Sequence, residues 1–433
     1  MKRIILGTLL ITVFSLLYFC NSVEPPLGDK PKLLLALKDV SCTETWIELT
    51  TTNLQLPATI SLKQNNQTRS TINLVKADTL LYIDTLLPNT SYKFQASSIE
   101  NPVSSNEITA ATLDTTSHNF TFETWTFGEH SSSVLYDVAI IDENNIWAVG
   151  EIYMNDSLGQ PDSKRYNAIR WNGANWDIIR IPYNYQGTDF YHPIQSTFAF
   201  GSNDIWFCGN GVIHWEGKSF IPIAIPTNVW GPYQMNKIWG SSSNDLYVVG
   251  NEGNIAHYQN GQWSRITSGT ELHINDIWGD YNSEKGEYEI LCIASNQFIN
   301  LGQVVLQIKG NNIITINSEG LSWSLNTMWF IQGRKYFIGG DGLYISKYLG
   351  ENWTRDNSMP PYYKMGVRGN GMNDIVIVGA FGLLLHFNGI TWKNFQDITY
   401  IYGSYGRVDI KGDLICCTGG LNDGSAIVSI GRR

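Results

Sequence analysis

Charge is scarce in this sequence. Of 433 residues only 16% are Asp, Glu, Lys or Arg, and the formal balance is −10 with a pI near 5.2. Nowhere do Lys and Arg gather into the basic stripe that nucleic-acid binding requires, which excludes a nucleic-acid partner. Cysteine is sparse too: Cys20, Cys42, Cys208, Cys292, Cys416 and Cys417 make neither a disulfide framework nor a C-x-x-C metal spacing. Cys208, Cys292 and the Cys416–Cys417 pair fall on the same strand of different repeats, far from one another, so they are expected to be buried free thiols. Long amphipathic helical patterns and cap signals ahead of apolar runs are missing. No segment beyond the first twenty residues is apolar enough to span a bilayer as a helix. No G-x-S-x-G, H-E-x-x-H, Walker or G-x-G-x-x-G element stands in a strand–helix setting, and the reading includes no catalytic residue, cofactor or metal.

What is abundant is aromatic and glycine: Trp 15, Tyr 22, Phe 17 and Gly 40. That mixture suits many short strands joined by tight turns, an all-β fold. Lys2 and Arg3 precede a short apolar run, Ile4 to Leu17, followed by "LLYFCNS" with Cys20. The segment resembles a bacterial lipoprotein signal peptide (residues 1–20). The resemblance implies lipidation of Cys20, and attachment to a bacterial outer membrane or cell surface by the lipid. Phe19 departs from the small residue usual before that cysteine, and leaves open ordinary cleavage nearby with a secreted or periplasmic product. Residues 21–29, beginning "NSVEPPLG", read as a tether.

Residues 30–115 alternate apolar and polar in "TWIELTT", "ATISLKQ", "TLLYIDTL", "SYKFQASS" and "NEITAATL". Leu87-Pro88-Asn89-Thr90-Ser91-Tyr92 resembles the L-x-P-x-T-x-Y signature of fibronectin type III domains. The resemblance implies a β-sandwich with Tyr92 at its tyrosine corner and Trp46 between its sheets.

Residues 118–433 repeat. "LYVVGNEGNIAHYQNGQW" (Leu246–Trp263) and "IVIVGAFGLLLHFNGITW" (Ile375–Trp392) share apolar run, glycine, histidine and tryptophan at one spacing. Glycines recur at 150, 209, 250, 339, 379 and 419, with one unit's glycine absent at "EYEILCIAS" (Glu287–Ser295). A period near 40 suits a four-stranded propeller blade. Asn-Asp pairs lead into the second strands, and Asn-Gly or Gly-x turns join the third and fourth. The turns "RWNGANW", "HYQNGQW", "KYLGENW" and "HFNGITW" resemble degenerate Asp-box (BNR) turns, which implies a related blade plan. Seven units are counted. The last stops before its outer strand, and "HNFTFETWTFG" (His118–Gly128) is expected to supply it, closing the ring and removing exposed edges.

His214, His257 and His386 share one register and are therefore spread around the ring, as strand-end residues rather than metal ligands. Arg180-Ile181-Pro182 resembles the R-I-P element of sialidases, but the further arginines are not there, and Arg180 is read as the end of a strand. Three loops between consecutive units are rich in aromatics and proline. They point to a ligand face formed by Tyr183, Tyr185, Phe190, Tyr191, Trp230, Tyr233, Tyr362 and Tyr363, joined by the inserted loop Glu151–Tyr166. Exposed aromatics with a polar handle suit sugar rings or extended peptides; the same residues could instead pack between units. The reading is a monomeric, non-catalytic binder of a glycan or protein. A carbohydrate-active enzyme at the channel mouth and an envelope scaffold are the alternatives.

Overall fold

The computed structural model describes residues 30–283, 285–299, 302–397 and 402–433. The expected signal segment, Cys20 and the expected tether lie outside the described residues. Apart from one 3-10 turn at Asn251–Gly253, every regular element is a β-strand. No helix among the described residues is long and apolar enough to cross a membrane. The chain divides into two compact units. One holds Ile47–Leu81, Tyr92–Thr109 and the described residues up to Leu37; the other holds Lys38–Trp46, Tyr82–Ser91 and the described residues of Ala110–Arg433.

Two sheets come first. One orders Lys32–Val40, Thr45–Thr52 and Asp78–Ile83; the other orders Gln67–Leu74, Ala58–Gln64, Ser91–Ser98 and Ile108–Ala111. Period-2 alternation explains them: along Ser91–Ser98, Tyr92, Phe94 and Ala96 are buried while Ser91 and Lys93 are exposed. Trp46 is fully buried.

Seven four-stranded antiparallel sheets follow. Their first strands are Val134–Asp142, Ile194–Gly201, Met235–Ser242, Ile274–Asn282, Thr327–Ile331, Lys364–Gly371 and Gly403–Lys411, which number the sheets first to seventh. Each first strand lies beside the first strand of the next sheet, and that of the seventh lies beside that of the first, so the circuit is closed. The second strands read as near-continuous apolar runs because neighbouring sheets cover both faces; Asp374–Gly379 is buried throughout. The cores sit between consecutive sheets. Cys208, Trp206 and Val212 of the second pack on Ile238, Leu246 and Val248 of the third. Leu414, Cys416 and Val428 of the seventh pack on Leu135, Ile146 and Ile169 of the first. Each fully buried Val, Leu or Ile contributes about 1.5–3 kcal/mol of transfer free energy. Cys208, Cys292, Cys416 and Cys417 are free and buried in these cores, and burial raises every one of their thiol pKa values.

The seventh sheet is assembled from both ends of this region. Thr121–Phe127, expected from its alternation to be an outer strand, pairs antiparallel with Ala426–Arg432, from Phe127 opposite Ala426 to Thr121 opposite Arg432. A polar latch flanks the seam. Arg433 grips Asp374 of the sixth sheet through Nη2 at 2.6 Å and Nη1 at 3.1 Å. His386 Nε2 lies 2.7 Å from the other side of the latch, Asp374 Oδ1, and its Nδ1 lies 2.7 Å from Nδ1 of His118. The facing Nδ1 atoms can share only one proton, and His118 Nε2 lies 3.2 Å from Thr391 Oγ1. Two protonated nitrogens cannot face each other at this distance, which works against a charge on His118. Burial, then repulsion from His386, Lys393 and Arg433, lowers its pKa to about 4. A depressed imidazole stabilises the fold fully above about pH 6.5, and that contribution shrinks as pH falls toward 4. Because His118 is only half-buried, the loss is about 1–2 kcal/mol. Thermal unfolding followed from pH 7 to pH 4 should show a drop in Tm that is smaller in His118→Ala; equal slopes in the two proteins would refute the latch.

Candidate functional site

The repeated glycines explain the site. A Cβ built on Gly150, Gly209, Gly250, Gly379 or Gly419 would meet the backbone oxygen of Val134, Pro193, Gln234, Tyr363 or Ser404 at 1.9–2.4 Å. In the fifth sheet Gly340, one residue beyond the glycine that the repeat singles out, takes this place against Ser324 O; in the fourth, Ala294 stands opposite Ile274. Opposite these positions the first strand bulges. The register skips Tyr136, Gln195, Asn236, Asn275, Met365 and Gly406 in six of the seven sheets. A bulge leaves one residue out of the ladder and re-aims it. All six, with Asn326 of the fifth sheet, line one cavity of about 1030 Å³ at the mouth of the central channel.

Nine of the 26 described lining residues of this bowl carry uncharged amides. Asn236 gives Nδ2 to Ile274 O (3.0 Å), Asn275 to Leu325 O (2.7 Å) and Asn326 to Met365 O (2.7 Å), each reaching the next sheet. Their amides therefore stitch the third to sixth sheets together, while Oδ1 of Asn236 and of Asn275 has no partner among the described residues. The Gln195 and Gln234 side chains make no hydrogen bond among the described residues. Arg407 spends Nη1 on Met365 O and Gly406 O, with no acid within ion-pairing distance among the described residues. The one carboxylate among the described lining residues is Asp423.

One to three residues further along the first strands lies a belt of charge. Asp137 accepts from Lys237 Nζ at 2.6 Å, from Ser196 Oγ at 2.6 Å and from Thr197 N at 3.0 Å. Asp276 accepts from Arg368 Nη1 at 3.2 Å, from Thr327 Oγ1 at 3.1 Å and from Met328 N at 3.0 Å. In both, an acid from one sheet meets a hydroxyl from the next and a cation from the one after. The four charged side chains are at most 9% exposed. Burial lowers the Lys237 pKa. Burial also works against the Asp276 carboxylate, but Arg368, Lys237 and Arg407 outweigh it and hold the group below its usual range. Asp409, bonded among the described residues to the Ile140 and Ile410 amides (2.7 and 2.9 Å), is raised by burial. A second cavity, about 100 Å³, lies beyond the belt and shares no lining residue with the bowl.

The eight predicted aromatics do not form one patch. Trp230 is buried, its Nε1 on Tyr233 O at 2.8 Å and its ring against Gly250, because the close approach at that glycine leaves an apolar slot to fill. Tyr183 packs on the core between the first and second sheets. Tyr191 is half-buried under Lys164 Nζ, 5.7 Å from its ring centre. Tyr185, Phe190 and Tyr233 are exposed. Tyr362 lies 5.4 Å from Phe381, and Tyr363 lies 5.3 Å from Phe298 while donating to Ser324 O. Phe298, Phe381 and Tyr402, which sequence reasoning missed, are 67%, 67% and 70% exposed beside bowl residues. Phe298 and Phe381 have no neighbouring aromatic in sequence, so composition gave no signal for them.

Chemistry is limited. Tyr136 donates to Glu151 at 2.7 Å, and Glu151 also holds Tyr153 and Arg165. Burial and the Glu151 carboxylate raise the Tyr136 phenol, the wrong direction for a nucleophile. Asp423 alone does not make the carboxylate pair of glycoside hydrolysis. Arg180 follows strand Trp176–Ile179 and pairs with Asp162 over the Tyr166 ring, a structural place. His214, His257 and His386 each bond the aspartate that opens their own sheet's second strand, Asp204, Asp245 and Asp374, at 2.7–2.8 Å. The Asn-Asp motif therefore anchors a histidine besides making a turn. No cluster of three or more His, Cys, Asp or Glu among the described residues could hold a metal ion.

No protein-family model and no curated protein matches the chain. Among solved structures it is similar to YCF48 bound to D1 peptide, at 15% identity over 72% of this chain and 97% of that one, with a TM-score of 0.52. It is also similar to YCF48 from Cyanidioschyzon merolae, at 14% identity over 71% and 98%, with a TM-score of 0.50. At such identity the likeness is one of fold, and the fold is a β-propeller.

Proposed function

We propose that this chain is a non-catalytic binding protein whose ligand sits in the channel-mouth bowl of a seven-bladed propeller. In this reading a fibronectin type III sandwich precedes the propeller, and a lipid on Cys20 holds the monomer at a bacterial envelope surface. The observation that carries the reading is the bowl itself: bulged first-strand residues from around the ring converge on one cavity of about 1030 Å³, whose described lining holds nine neutral amides against one carboxylate, Asp423, and one guanidinium, Arg407. Asparagine and glutamine both donate and accept, as vicinal hydroxyls do, and exposed rings at the rim offer faces for sugar C–H groups. A neutral glycan suits that lining. A peptide is the second reading, favoured by the D1 peptide bound to the YCF48 neighbour.

The test is an array of envelope and cell-wall glycans probed with the full chain purified in mild detergent. Binding is expected, and Phe298→Ala, Phe381→Ala and Tyr233→Ala should each weaken it about tenfold, or ~1.4 kcal/mol. All three rings are exposed, so folding should be untouched. A well-folded protein that ignores every glycan would sink the glycan reading and leave the peptide.

A further inference from the structure

The bowl has a floor. Its lining residues end at Tyr136, Asn236, Asn275 and Arg407, and the smaller cavity begins at Asp137, Thr197, Lys237 and Arg368. Between them lie the Asp137–Lys237 and Asp276–Arg368 pairs, which are buried and hydrogen-bonded on both sides. Opening a path through them would strip two ion pairs of their partners, which is costly in a desolvated setting. The channel is therefore blind from the mouth.

The bowl also has an outlet. A groove of about 660 Å³ runs between the second and third sheets over Pro193, Asn210, Pro232 and Tyr233. Groove and bowl share Gln195 and Gln234, so the two are continuous at those side chains. The amide groups of both glutamines are unused among the described residues, while Oδ1 of Asn236 and Asn275 and the spare guanidinium N–H groups of Arg407 remain for a ligand deeper in.

From this geometry we infer that the bowl receives a free end of a neutral oligosaccharide and that the following sugars leave along the groove. The inference rests on the glycan reading above and deepens it. With the floor closed no polymer can thread the ring, so an internal stretch can only cross the mouth, while a chain end can reach down to the floor and leave by the groove. A terminal sugar fits the lining: its ring hydroxyls donate to the Asn236 and Asn275 oxygens and accept from Arg407. The chain behind it passes Gln195 and Gln234 and lies on the exposed ring of Tyr233.

Linear hexaoses of β-1,4-glucose, β-1,3-glucose, α-1,4-glucose and β-1,4-N-acetylglucosamine would test it by calorimetry with the full chain. Each would be offered free, and again with both ends blocked, by a benzylidene acetal at the non-reducing sugar and a bulky aglycone at the other. The expected result is that at least one free hexaose binds and that its blocked form binds at least tenfold more weakly. Gln195→Ala/Gln234→Ala should weaken the free form by a similar factor without moving Tm, since neither amide supports the fold. Equal binding of blocked and free forms would overturn the end-binding inference and leave the glycan reading standing. Failure of every free hexaose would overturn both.

Discussion

Lys237→Met is expected to cost about 3–5 kcal/mol of stability, because it leaves a buried carboxylate without its cation. The substitution keeps the length and apolar stem of the side chain and removes only the charge. Asp137 would then sit in the channel with hydrogen bonds from Ser196 and Thr197 but no cation, its side chain only 3% exposed to water. The pair itself need not be strongly stabilising, because desolvation offsets much of its attraction. A double variant, Asp137→Leu with Lys237→Met, should therefore recover a large part of the loss. Chemical denaturation of the four proteins in the cycle measures the coupling. A single variant within about 1 kcal/mol of the parent, on the order of an exposed pair's worth, would show that water enters the belt and that the channel is not blind.

The second large effect is expected at the glycines. Gly150→Ala places a methyl group 2.0 Å from Val134 O and 2.8 Å from Leu135 Cα, backbone atoms that cannot swing aside. Overpacking of this kind costs roughly 1–3 kcal/mol, and the upper part of that range is expected where the obstacle is main chain. Relaxation would have to flatten the bulge at Tyr136, so the variant should also distort the bowl and weaken ligand. Gly201→Ala is the control: nothing lies within 4 Å of its added Cβ, and it should be neutral. Ala294, which occupies the matching position of the fourth sheet, bounds the claim, because there the two strands already accommodate a methyl group. Matching Tm values for Gly150→Ala and Gly201→Ala would refute the account.

Fold and site were not equally legible in the sequence. Glycine, Asn-Asp and Asn-Gly recur at fixed spacing because each answers a local backbone demand, so the strand order could be read along the chain. The outer strand His118–Gly128 was legible because alternation and the unfinished last repeat pointed to each other. The bowl was not. Its first-strand lining residues share a place, not a chemistry: Tyr136, Gln195, Asn236, Asn275, Met365 and Gly406 at bulges, with Asn326 of the fifth sheet. Nothing in such a series announces a common place until the register skip is seen. The ion pairs were hidden for another reason: Asp137 and Lys237 lie 100 residues apart and Asp276 and Arg368 92 apart, two sheets away in each case. The aromatic loops misled because a tryptophan such as Trp230 fills a slot beside a glycine as readily as it faces solvent.

The strand Thr121–Phe127 has a consequence in time. Its partner is synthesised long after it: Thr124 and Ser429, 305 residues apart, share a hydrogen bond across the seam. Six sheets can form from local hairpins as the chain emerges, yet the circuit stays open until its final strand arrives. Loop closure over such a span adds little to the equilibrium cost but defers the step. Until then Thr121–Phe127 waits as an unpaired strand with Phe122, Trp125 and Phe127 uncovered, the state in which a ring protein is most exposed to pairing with the wrong chain.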